Sequence, residues 1–137
     1  ATHIPYVFTG VESKHTDLTK KAAKAQRIAR EDGFVFGKVL SACPLNWRAP
    51  ERQCRNIIQA AVDSCFFPLY EIERGITTLN YDPEKREKRI PLIEWLKMMG
   101  KTKHMVKPDY EKELAAFEKE VERRWTRLKA MAENPLL

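Results

Sequence analysis

Between residues 16 and 40 the chain passes from an amphipathic helical pattern to a run of mostly apolar residues. That succession constrains the fold more than any other feature of it. Residues 16–31 place Leu18, Ala22, Ala25 and Ile28 or Ala29 at helical spacing, while Lys20, Lys21, Lys24, Arg27 and Arg30 mostly point outward. Thr16 is positioned to cap this helix and Gly33 to end it. Phe34 to Leu40 then has the composition of a strand buried on both faces. Upstream, residues 4–9 (Ile-Pro-Tyr-Val-Phe-Thr) read as a short strand, with Pro5 near its start, where a missing donor is tolerated. Strand, helix and strand with short joins imply a parallel pair with a right-handed crossover. Two strands alone do not make a stable parallel sheet, because both faces and both edges need cover. The expected fold class is therefore α/β: the end portion of a parallel sheet flanked by helices, whose earlier strands the chain does not contain.

The remainder follows from turn and cap signals. Pro50 suits the first turn of a helix over about 51–65, with Cys54, Ile57, Ile58, Ala61, Val62 and Cys65 on its apolar face, and Pro68 stops it. Leu69 to Glu73 and Ile76 to Tyr81 flank Arg74-Gly75 and read as a β-hairpin. Residues 82–89 form a charged linker, and Leu92 to Met99 a short helix closed by Gly100. Asp109 is placed to cap a last helix over about 110–132. Its stripe of Tyr110, Leu114, Phe117, Val121, Trp125 or Arg124, Leu128 and Met131 is expected to pack against another chain or against parts of the protein lying elsewhere. The hairpin and C-terminal helices thus follow the sheet portion, dividing the chain at residue 81.

The 43% hydrophobic and 32% charged composition is that of a globular chain rather than a disordered one. No apolar run reaches the roughly 18 residues of a membrane span, and no basic-then-apolar leader opens the sequence. The expectation is a cytoplasmic protein without a membrane partner. Residues 1–55 carry ten Lys or Arg against five Asp or Glu, so the net charge of +6 sits mainly in the first half. Such a half could meet nucleic acid, a membrane surface or an acidic protein, or simply present a solvated helix face.

Cys43 stands out among the residues that could carry chemistry. It directly follows the buried-type strand, in a loop before a helix, and ligands of open parallel sheets bind outside the carboxyl ends of the strands. Pro44 stiffens this loop and Trp47 can shield it. Cys43 therefore reads as a thiolate metal ligand, a nucleophile, or a small buried hydrophobe. Cys54 and Cys65 read as core residues. If both lie on one intact helix, their 11-residue separation puts their Cα atoms about 16 Å apart, too far for a disulfide. His3, His15 and His104 are scattered and suggest surface or structural roles. Arg48 and Arg52 straddle a helix N-terminus, where they could meet an anion or act as a solvated cap. There is no Cys-x-x-Cys, Gly-rich phosphate loop, HExxH or Ser-His-Asp pattern, and no catalytic residue is assigned.

Taken in order, these segments resemble the C-terminal part of the β subunit of the 2-oxoacid:ferredoxin oxidoreductases, the pyruvate:ferredoxin oxidoreductase family. Ile4-Pro-Tyr-Val-Phe8 is similar to the family's IPYVAT. The strand at Phe34 to Leu40, followed by Cys43-Pro44-x-x-Trp47-Arg48, is similar to its VLAPCPTGWR, and Phe67-Pro-Leu-Tyr-Glu71 to its WPLYE. Pro91-Leu-Ile-Glu-Trp-Leu96 resembles VEEYL, and Glu122-Arg-Arg-Trp125 resembles the closing WERL helix. The similarity covers nearly the whole chain, and the Cys-Pro-x-x-Trp-Arg stretch with the downstream Pro-Leu-Tyr-Glu is its specific part.

The resemblance implies a thiamine diphosphate and magnesium enzyme that splits a 2-oxoacid with coenzyme A. Its electrons pass through iron–sulfur clusters to ferredoxin. The resemblance makes Cys43 one ligand of a 4Fe–4S cluster. The remaining ligands and the Gly-Asp-Gly diphosphate motif are absent from this chain, so the isolated chain is expected not to bind thiamine diphosphate. Residues 1–81 become the C-terminal part of the thiamine diphosphate domain, with its hairpin, and residues 82–137 a linker and C-terminal helical extension. The implied partners are the other subunits or domains of the same oxidoreductase, and ferredoxin. Leu45-Asn46 stands where the family has Thr-Gly, which leaves the acid open among pyruvate, oxalate, branched and aromatic 2-oxoacids. Two readings compete with this one. A basic module binding nucleic acid would need its cations on one free face with exposed aromatics. A thiol enzyme using Cys43 as nucleophile would need a base near it.

Overall fold

The computed structural model describes residues 4–135, so His3 lies outside the described residues. β1 (Tyr6–Val11) and β2 (Val35–Leu40) are joined through α1 (His15–Glu31). The two strands pair in parallel from Tyr6–Val35 to Val11–Leu40, as the strand–helix–strand pattern predicts. Alternation along β1 sends Tyr6 and Phe8 to a small core against Leu18, Ala25 and Ile28 of α1, and Val11 to the main core. Helix α1 begins one residue before the expected cap. Thr16 lies inside it and Lys14 takes the cap position without a side-chain bond, because a 3-10 turn over Glu12–Lys14 leads straight into the helix.

The hairpin forms as β3 (Tyr70–Glu73) and β4 (Ile76–Leu79). Arg74 (φ 49°) and Gly75 (φ 84°) are both left-handed, the geometry that matches a two-residue turn to the twist of its strands. β3 pairs antiparallel with β1, which gives one mixed sheet of order β2-β1-β3-β4, parallel at its start and antiparallel at its end.

β2 is consequently an outer strand. The sequence predicts burial on both faces, yet Phe34, Phe36 and Val39 are 68%, 48% and 47% exposed. The composition asks for cover that no other described element supplies.

The main core stacks on one side of the sheet. It joins Ile57, Ile58, Ala61 and Val62 of α3 (Cys54–Asp63) to Trp95 and Leu96 of α4 (Leu92–Lys97) and to Val121, Trp125 and Leu128 of α5 (Glu111–Glu133). The helix expected over 51–65 is shorter. Residues 51–53 form a 3-10 turn, the helix ends at Asp63, and Cys65 turns left-handed at φ 61°. Cys65 is buried as expected, but beyond the helix rather than on its face.

The last helix forms over nearly its predicted span, and much of its apolar stripe finds cover within this chain. Val121, Trp125 and Leu128 of its stripe are buried within the chain and Leu114 and Phe117 partly buried against the same core, while Tyr110 stays 38% exposed. Phe66 stacks on Trp95 at 4.3 Å between ring centroids and meets Phe117 edge-on at 5.8 Å, supplying a surface that helix periodicity alone does not reveal. Asp109 does not cap this helix: it sits in a 3-10 turn, and Tyr110 holds the cap position. Lys129 and Arg89 pair with Glu84, and Arg89 also pairs with Glu122, so the linker is tied to α5. Among the described residues no helix is long and apolar enough to cross a membrane.

Candidate functional site at the carboxyl ends of the parallel pair

Because β1 and β2 run in register to Val11 and Leu40, the loops that follow them lie side by side. Glu12 joins the two: its carboxylate accepts from Ser41 Oγ at 2.8 Å and from the Ala42 N–H at 3.3 Å. Cys43 comes next and caps the one-turn helix α2 (Pro44–Trp47), its carbonyl accepting the Trp47 N–H at 2.8 Å. Pro44 occupies the first position of that turn, where its missing N–H costs nothing.

The turn is anchored from behind. Trp47 packs half-buried on the main core. Its carbonyl accepts the Lys101 N–H at 3.3 Å, the Arg48 carbonyl accepts the Gly100 N–H at 3.2 Å, and Lys101 Nζ donates to Asn46 Oδ1 at 3.1 Å. Gly100 is required here by space: a Cβ on it would lie 2.7 Å from Arg48 Cβ and 2.8 Å from the Arg48 carbonyl oxygen. Arg48 itself is left-handed, at φ 50°. Arg48 and Arg52 are exposed and make no ion pair among the described residues.

The three cysteines separate by environment. Cys43 is exposed, Cys54 half-buried and Cys65 buried, all as free thiols. Cys54 Sγ faces the Pro50 carbonyl at 3.8 Å. Burial pushes the Cys65 thiol up to about 12, which makes it a poor thiolate donor. The described residues contain no cluster of three or more His, Cys, Asp or Glu arranged to hold a metal ion. What they offer is one accessible soft donor on a clamped loop. In cluster-free protein, alkylation is expected to label Cys43 first and Cys65 only on unfolding. Mass mapping of the labelled peptides checks this, and early labelling of Cys65 would show that its burial is wrong.

Sequence reading missed Glu12 and Lys21. Lys21 is 2% exposed, and its Nζ donates to the Thr9 carbonyl and to Asp17, each at 2.9 Å. A lysine on the polar side of a helix gives no signal that it will be buried; only the helix-to-sheet packing decides it. Lys24 pairs with Glu71 at 2.5 Å and with Glu73 at 2.6 Å, and Tyr6 donates to Glu71 at 3.2 Å. Burial disfavours the Glu71 charge, but Lys24 and Asn80 bonding outweighs it and holds the carboxyl below its ordinary range. Lys21, Lys24 and Arg27 thus all engage carboxylates.

No protein-family profile matches the chain. Among curated proteins, the ketoisovalerate oxidoreductase subunit VorB of Pyrococcus horikoshii is 38% identical over 133 residues, covering 97% of this chain and 40% of that relative. The pyruvate synthase subunit PorB of Methanocaldococcus jannaschii is 38% identical over 109 residues, covering 80% of this chain and 35% of the relative. PorB of Thermotoga maritima is 31% identical over 129 residues, 93% of this chain and 38% of the relative. The chain therefore spans at most 40% of the length of these relatives.

Proposed function

The chain belongs with the β subunits of the 2-oxoacid:ferredoxin oxidoreductases, and on that premise we propose that Cys43 gives one thiolate to a 4Fe–4S cluster whose other ligands lie outside these 137 residues. The observation that supports this reading is the placement of one exposed thiol at the carboxyl ends of a parallel pair, on a loop held by Glu12 in front and by Gly100 and Lys101 behind. The residues fit the group as a single corner ligand: one soft donor is present, and no complete metal site competes for it among the described residues. Such a cluster, when bound, carries away the electrons released as thiamine diphosphate and coenzyme A chemistry cleaves a 2-oxoacid. This chain's own residues orient Cys43 Sγ, stiffen its loop through Pro44, and wall the loop with Trp47.

In this reading residues 1–81 complete the sheet of the thiamine diphosphate domain. Residues 82–137 are an extension that packs back on it, and the exposed edge of β2 is the seam where the sheet continues. The complete enzyme oxidatively cleaves a 2-oxoacid and reduces ferredoxin, working with its other subunits. The complete assembly is expected to reduce ferredoxin or a low-potential dye when given thiamine diphosphate, coenzyme A and a panel of pyruvate, branched, aromatic and dicarboxylic substrates. Failure with every acid in the panel would overturn the reading.

A further inference from the structure

Beside the carboxyl end of β1 a cleft of about 450 Å³ is lined by Lys14, Lys20 and Arg86, together with Ser13, His15 and Asn80. No carboxylate answers the three cations. Lys14 and Arg86 lie over the Tyr81 ring, 4.5 Å and 5.2 Å from its centroid, and Lys20 makes no ion pair among the described residues. Asp17, the carboxylate in the wall, is already held by Lys21 at 2.9 Å. The cleft therefore carries a surplus of positive charge.

Two buried polar atoms in its wall are also without partners: Ser13 Oγ and Asn80 Oδ1. Asn80 Nδ2 donates to Glu71 at 2.8 Å, which orients the amide so that its oxygen is left to accept. Buried polar atoms are seldom left unsatisfied, because each orphan keeps its full desolvation cost. The N-terminal end of the 17-residue α1 opens on the same cleft with no side chain capping it, adding a dipole that favours an anion.

The cations, the free hydroxyl and the free acceptor define one kind of ligand. We propose that this cleft binds a small phosphate-bearing molecule. Lys14, Lys20 and Arg86 take the phosphate charge, and Ser13 Oγ donates to a phosphate oxygen. Asn80 Oδ1 accepts from a hydroxyl or amine on the rest of the molecule. The volume of the cleft matches a small phosphate-bearing molecule. The inference stands on this cleft alone and does not depend on the role of Cys43.

The test is calorimetric titration of the intact protein, saturated with its cofactors, using inorganic phosphate and pyrophosphate as probes. Saturable binding is expected at low salt, pyrophosphate tighter than phosphate, and both weakening between about 0.01 M and about 0.15 M salt as screening grows. Each of Lys14→Met, Lys20→Met and Arg86→Met should weaken pyrophosphate about tenfold or more, the loss of one charge-assisted bond. Lys20 is exposed, so Lys20→Met tests the site without threatening the fold. Ser13→Ala should weaken binding without changing its salt dependence. Absence of binding at low salt would overturn the proposal. So would binding unchanged in the triple methionine variant, or an acidic peptide that binds the cleft while phosphate does not.

Discussion

Cys43→Ala in the complete enzyme is expected to lower bound iron by about one 4Fe–4S cluster per β subunit and to cut electron transfer to ferredoxin. The expectation rests on geometry as well as on kinship. Cys43 is the exposed thiol among the three, and Glu12, Gly100 and Lys101 hold its loop through contacts that do not involve its sulfur. The substitution therefore removes a ligand without disturbing the scaffold, and a cluster short of one thiolate becomes labile. Cys54→Ala and Cys65→Ala are the controls. They should keep iron and lose only packing, on the order of 1 kcal/mol each. Iron analysis, the visible charge-transfer absorption and ferredoxin reduction read the three variants together. Full iron and activity in Cys43→Ala, with loss in either control, would transfer the role to another cysteine.

The second large effect is on stability. Trp125 is 1% exposed at the centre of the main core, where α3, α4 and α5 meet. Trp125→Ala should cost about 3–5 kcal/mol, the transfer energy of the lost ring plus the cavity it leaves. Val121→Asp places a carboxylate at a position 6% exposed and should destabilise by several kcal/mol as well, since a buried charge without a partner has no compensation. Urea denaturation midpoints measure both. If α5 were instead an interface to another chain, these variants would lower the assembly mass and leave the midpoint of this chain's own unfolding in place. That outcome would sink the assignment of α5 to this core.

Local patterns decided much of this protein before any packing did. Helical spacing in residues 16–31, the apolar run before Cys43 and the Arg74-Gly75 turn together gave the parallel pair, the hairpin and the position of Cys43 at a strand end. Each is set by side-chain period and turn conformation over a few residues, information that a sequence carries directly. What covers what is a different matter. Periodicity leaves the α5 stripe without a partner because the surface made by Phe66, Trp95 and α3 comes from segments far apart in the chain. Cys65 left its helix because the backbone turns left-handed after Ser64, and periodicity does not register the end of a helix that hydrophobic residues continue past. Helical spacing points Lys21 outward, yet the packing of α1 on the sheet buries it, and Thr9 and Asp17 accept from its amine. Glu12 became the clasp of the Cys43 loop only because β1 and β2 end level. Tertiary structure alone decided these, because burial and long-range hydrogen bonding depend on which segments meet, while period and turn chemistry are properties of one segment at a time.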